Sequence, residues 1–205
     1  LALQSVPKWA LLLFILASAY HFGEQQWHAS QIVNSIKRYL FYVFYGGFLF
    51  ALLFYTHSSQ TIAIVKDIAD LALSFVFLEA LLVIAIILSL LLLVLNFNNL
   101  KSQFLFQFLA LLTLIILFTQ TSLLWSFSVY FIVWHSLPSL KEQAQELFPK
   151  KAYPITLYIR LALPYWILAM IGFGLALFFY RDNYSTVLSV FFSFLAAITI
   201  PHVFV

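Results

Sequence analysis

Long, nearly unbroken apolar stretches separated by short polar clusters set the pattern of this chain. A membrane-spanning helix needs ~20 mostly apolar residues, because lipid offers no partner to backbone polar groups. Seven stretches qualify: Trp9–His21, Tyr39–Thr56, Ile68–Leu95, Phe104–Thr119, Leu123–His135, Ile155–Tyr180 and Thr186–Val205. The first is short unless Leu1–Lys8 extends it, and the third is longer than a crossing requires, so it is expected to tilt or protrude. Thr119-Gln120-Thr121-Ser122 alone separates the fourth and fifth, which predicts a tight antiparallel hairpin. Pro164 is expected to kink the sixth. The first stretch has no small-residue cleavage site before a polar region, so it reads as a span and not as a leader.

Composition strengthens this picture. Of 205 residues, 64% are hydrophobic and only 8% charged, against about 25% charged in an ordinary soluble domain. One soluble core cannot hide that much apolar surface, and a disordered chain needs the opposite balance. The expected fold is therefore an all-α, polytopic membrane bundle of about seven helices, forming one membrane-embedded domain over residues 1–205. There is no cysteine, which excludes disulfides, thiolate metal sites and cysteine nucleophiles. A net charge of +3 bears on orientation in the bilayer and does not suggest nucleic acid.

The seven spans place Lys37, Arg38, Lys101, Lys141, Lys150 and Lys151 on one face, side B, and Lys8, Lys66 and Arg181 on the other, side A. That bias of six against three puts side B in the cytoplasm of a cell with an inner membrane. The side-B connection Ser136–Pro154 carries Leu140, Ala144, Leu147 and Phe148 at helical spacing. It predicts a short amphipathic helix lying in the interface, capped by Ser139 with Glu142 three residues on.

Five histidines are the main chemical material. His21, His135 and His202 each lie at or near the end of an odd-numbered span, and so at similar depth near side B. Polar residues in such places are costly and usually functional. An all-imidazole set suits iron, zinc, copper or nickel. The plain alternative for each is an interfacial residue bonded to a backbone carbonyl or a lipid headgroup. His57 ends the second span on side A, about a membrane thickness (~30 Å) away, and is read as interfacial. His28 reads most simply as a solvated loop histidine. If the helix continues, though, His21, Glu24 and His28 share a face, where Glu24 and His28 would hydrogen-bond a metal-bound imidazole or stand in as ligands.

The remaining charges read simply. Glu79 is expected to snorkel to side A and Arg160 to side B. Asp67 and Asp70 are read as first-turn acids of the third span. No zinc-protease motif, nucleophile elbow or phosphate-binding glycine loop is present.

Three short motifs, in order, resemble one family. They are His21-Phe22-Gly23, then Trp134-His135-Ser136-Leu137-Pro138-Ser139-Leu140, then Pro201-His202-Val203-Phe204-Val205. The set resembles the bacterial and archaeal β-carotene 15,15′-dioxygenases of the Brp/Blh type. That resemblance implies a ferrous iron held by histidines and cleavage of the central double bond of β-carotene with dioxygen to two retinals. It also implies a functional link to a retinal-binding rhodopsin. By motif position it implies His21 and His135 as iron ligands and His202 as a third. Members carry an upstream Pro-His-Gly segment that this sequence lacks, so a further helix and ligand are expected ahead of Leu1. Some members also carry a histidine where Ser139 stands.

Physical sense favours the match. An enzyme for a rigid, apolar, bilayer-dissolved substrate needs a greasy slot, and 24 Phe, 5 Trp and 11 Tyr can line one. Two other readings fit an apolar chain with intramembrane histidines: a transporter or channel with a proton relay, and a non-catalytic subunit regulating opsin production. The former would be expected to show an inverted repeat and broken helices at mid-membrane, and neither is visible.

Overall fold

A helix satisfies its own backbone, so each apolar stretch folds as one, and polar residues mark where helices end. The computed structural model describes residues 7–27, 32, 35–183 and six positions (186, 187, 190, 191, 194 and 197). Its helices are α1 (Pro7–Gln26), α2 (Ser35–Thr56), α3 (Ser58–Ala69), α4 (Phe75–Leu95), α5 (Phe97–Gln120), α6 (Leu123–Val129), α7 (Leu137–Leu147) and α8 (Pro154–Tyr180). A π-helical segment, Tyr130–Ser136, joins α6 to α7.

Among the described residues, five helical stretches and not seven are long and apolar enough to cross a bilayer: Ile36–Thr56, Phe75–Leu95, Phe97–Gln120, Leu123–Leu147 and Pro154–Tyr180. The polytopic all-α architecture stands. The 20-residue α1 falls short because Lys8, His21, Glu24, Gln25 and Gln26 interrupt its apolar run. Most of the expected seventh span, Thr186–Val205, lies outside the described residues.

Two further expectations change. The overlong third span is two helices. α3 ends where Asp70 adopts a left-handed conformation, φ 50°, and returns its N–H to the Lys66 carbonyl. After a non-helical linker, Ser74 caps α4 by accepting the Phe77 N–H at 3.1 Å. Asp67 and Asp70 therefore finish one helix and are not first-turn acids of the next. Likewise, the expected break after His135 is absent. Ser136 is helical, with φ −67°, so Ser139 lies inside α7 and does not cap it.

The chain divides into two compact units between Ser128 and Val129. In the first, α2 is central and packs on α1, α4 and α5. Its buried face carries Phe41, Tyr45, Leu49, Leu53 and Ala51. α4 buries one narrow stripe, Leu78, Leu82, Ala85 and Ser89, and leaves its other faces apolar and exposed, as expected of a helix bathed in lipid. Polar ties add to the packing. Ser89 donates to the Phe44 carbonyl at 2.9 Å. Gln26 Nε2 donates to Gln107 Oε1 at 2.6 Å, and Gln107 Nε2 donates back to the Gln26 carbonyl. In hydrocarbon such amides have few other partners, so the pair pins α1 to α5. In the second unit, α7 packs on the π segment and on α8. Tyr158 donates there to Gln143 at 2.7 Å.

Candidate metal centre

The placement of His21 starts from two glycines. A Cβ on Gly23 would lie 2.0 Å from the Tyr42 carbonyl oxygen, and one on Gly46 would lie 1.9 Å from that of Ala19. α1 and α2 therefore touch backbone to backbone, the close approach that small residues allow between membrane helices. Phe22 is buried and stacks on Phe50 with centroids 5.4 Å apart. The His-Phe-Gly motif thus divides its labour within one turn. Gly23 seats the helix, Phe22 anchors it, and His21 stands half-buried on another face. Glu24 is also engaged: its Oε1 accepts the Tyr20 hydroxyl at 2.9 Å. Tyr20 packs in turn near Tyr39 and Tyr42, at 5.8 and 6.2 Å.

His135 is positioned by the π turn. The Leu137 N–H reaches back five residues, to the Ile132 carbonyl. Pro138 follows at once. A proline inside an ordinary helix lacks an N–H and pushes on the carbonyl four residues back, at a cost of ~3 kcal/mol or more. The wider turn relieves that conflict and keeps the chain helical. It also holds the His135 imidazole at 4% exposure, with its ring centroid 5.1 Å from that of Phe131. Single π turns of this sort are frequent at functional sites. The signal for it was in the sequence: Pro138 three residues after His135, in a stretch otherwise fit for helix.

His57 sits apart, between α2 and α3. Its Nε2 lies 2.8 Å from the Thr121 carbonyl. Its Nδ1 lies 3.0 Å from the Leu53 carbonyl and 3.1 Å from the Thr56 hydroxyl, which itself donates to the Leu52 carbonyl at 2.9 Å. This histidine ties the end of α2 to the end of α5, so both helices finish at one face.

His28 and His202 lie outside the described residues. Among the described residues, no three of His, Asp or Glu gather to hold a metal. His21 and His135 belong to different compact units. Their chemistry fits an iron site, since both are imidazole donors without competing thiolate.

Comparison with known proteins agrees with the motifs. The family model for β-carotene 15,15′-dioxygenase matches residues 2–205. No curated protein and no solved structure matches the chain. With that match across nearly the whole chain, on a polytopic helical membrane fold, the chain belongs to the β-carotene 15,15′-dioxygenase family and is a carotenoid-cleaving oxygenase.

Proposed function

We propose that His21, His135 and His202 ligate the ferrous iron of this dioxygenase, with Glu24 and His28 as outer partners. The reaction is cleavage of the central double bond of β-carotene to two retinals. The observation that carries this reading is the enclosure of His135: a 4%-exposed imidazole at a π turn, in a motif that resembles the family's. Iron supplies the dioxygen chemistry when bound.

This chain's residues supply position and dryness. The Gly23–Tyr42 and Gly46–Ala19 contacts fix the helix that carries His21. The π turn fixes His135, and Pro138 keeps that turn from relaxing to an ordinary one. Tyr20 holds the Glu24 carboxylate one turn beyond, where it can accept a hydrogen bond from a neighbouring imidazole N–H and raise that ligand's basicity. The surrounding apolar side chains exclude water, which protects the cleavage from hydrolytic side reactions. The iron lies near the cytoplasmic face, and the retinal released feeds a rhodopsin.

His21→Ala and His135→Ala should each abolish retinal formation and lower iron bound to the purified protein. Iron content by elemental analysis, with retinal by chromatography, checks both. Full iron and full activity in either variant would remove that residue from the ligand set.

A further inference from the structure

An apolar groove of about 380 Å³ runs along the first compact unit on the opposite side of α1 from His21. On α1 its wall is Lys8, Leu11, Leu12, Ile15, Leu16 and Ala19, a single face at helical spacing. His21 follows Ala19 by two residues, or ~200° of helix turn, so it points away from that face. The groove therefore lies on the face of α1 away from His21. Its far wall is α2, and α3, the linker and α4 flank it.

Three features describe what it would take. From Lys8 to Ala19 the wall is twelve residues long, about 16 Å of helix, on the order of half a carotenoid from central double bond to terminal ring. Its volume lies near the ~300 Å³ lower bound of small-ligand pockets. That suits one cleavage product, with half the carotenoid skeleton. The lining is apolar and mostly aliphatic, with Phe44, Phe50, Phe54 and Phe77 among the leucines, and suits an apolar polyene chain.

One end is polar. Lys8 is exposed at the side-A end, and Asp70 nearby is already held by Lys66 at 2.7 Å. The Lys8 ammonium is thus placed to donate a hydrogen bond to one oxygen acceptor at the groove's mouth. Gly47 lines the inner end with nothing within 4 Å of where its Cβ would be.

We propose that this groove is a holding site for retinal, the product, with the terminal ring inward near Gly47 and the aldehyde oxygen at Lys8. The proposal rests on the carotenoid-cleaving activity. The contact is non-covalent. It gives a reactive, bilayer-soluble aldehyde a place on the enzyme away from His21, opening towards side A.

The test uses the full chain in lipid nanodiscs and all-trans-retinal as the probe. Saturable quenching of tryptophan fluorescence reports binding, with Trp9 standing exposed beside Lys8. Gly47→Leu fills open space, so it should fold normally and still cleave carotene, yet bind retinal about tenfold more weakly or worse. Lys8→Met should weaken binding several-fold. Equal affinity in the wild type and Gly47→Leu would overturn the proposal. So would loss of that quenching when an equimolar saturated fatty aldehyde of similar length is added, which would make the groove an acyl-chain site. Because retinal is added directly, a wild type that binds it but forms none from carotene would fault the activity and not the groove.

Discussion

At the scale of single residues, the smallest side chains carry much of the architecture. Gly23 was legible in the sequence as part of a motif beside a histidine. Its reason is mechanical: Tyr42's carbonyl oxygen occupies the space a side chain would need. Gly23→Leu should therefore force α1 off α2, destabilise the protein by at least the ~1–3 kcal/mol of an overpacked core, and abolish activity. Thermal unfolding beside an activity assay checks this, and a variant of unchanged midpoint and activity would contradict the backbone contact. Gly47→Leu is its counterpart, harmless to the fold because nothing lies close.

The exposed Lys66–Asp70 pair makes a subtler prediction at the same scale. Lys66's hydrogen bond and charge hold the Asp70 carboxyl below its ordinary value, and Asp70 raises Lys66 in return. With Asp70 depressed, its contribution to stability is present above its unfolded value, about 3.9, and fades as pH falls through the lower folded one. Lys66's contribution is present below its unfolded value, about 10.4, and fades as pH rises through the higher folded one. The unfolding midpoint of Asp70→Asn should thus lie slightly below wild type at neutral pH and converge with it in strong acid and in high salt, since both groups are exposed. A difference that grows on acidification would contradict the pairing.

At the scale of elements, the sequence reading located apolar runs well and their interruptions less well. Ile68–Leu95 reads as one helix because nothing from Leu71 to Leu73 breaks apolarity. The break comes from Asp70, which tolerates a left-handed turn, and from Ser74, which offers a cap. The break expected between His135 and the Ser139 cap erred in the other direction. The π turn ahead of Pro138 absorbs the conflict that a proline brings, and the helix runs on to Leu147. Both local choices are settled by backbone hydrogen bonding that hydropathy does not record.

His57 belongs to this scale as well, because it acts between elements. Its bond to the Thr121 carbonyl joins the ends of α2 and α5. Losing it in His57→Ala should cost about 0.5–1.5 kcal/mol, with iron content and retinal formation unchanged. Thermal unfolding and iron analysis of the purified variant check this. Loss of iron there would overturn the assignment of His57 to the scaffold.

At the scale of the whole molecule, the division of apolar surface explains most of what is seen. α8 buries none of its residues in the described protein, and α4 buries only a stripe. In water such exposure would be ruinous, and in a bilayer it is solvation. That much was legible from composition: 8% charge and 64% hydrophobic residues allow little else. The candidate site was legible only in part. Single-residue chemistry and motif order pointed to His21, His135 and His202, because histidine at a span's end is rare and costly. What holds two of them in place does not show in hydropathy: it is a backbone contact at Gly23 and a π turn at His135, for which Pro138 is the sequence signal. His202 lies outside the described residues.

The central claim is that this membrane chain cleaves β-carotene at its central double bond. The most direct measurement is chromatographic quantification of retinal and carotene in β-carotene-producing bacteria expressing the full-length protein. The account predicts two retinals formed for each carotene lost, and none in cells without the protein. Unchanged carotene and no retinal from a well-inserted, iron-loaded protein would contradict it.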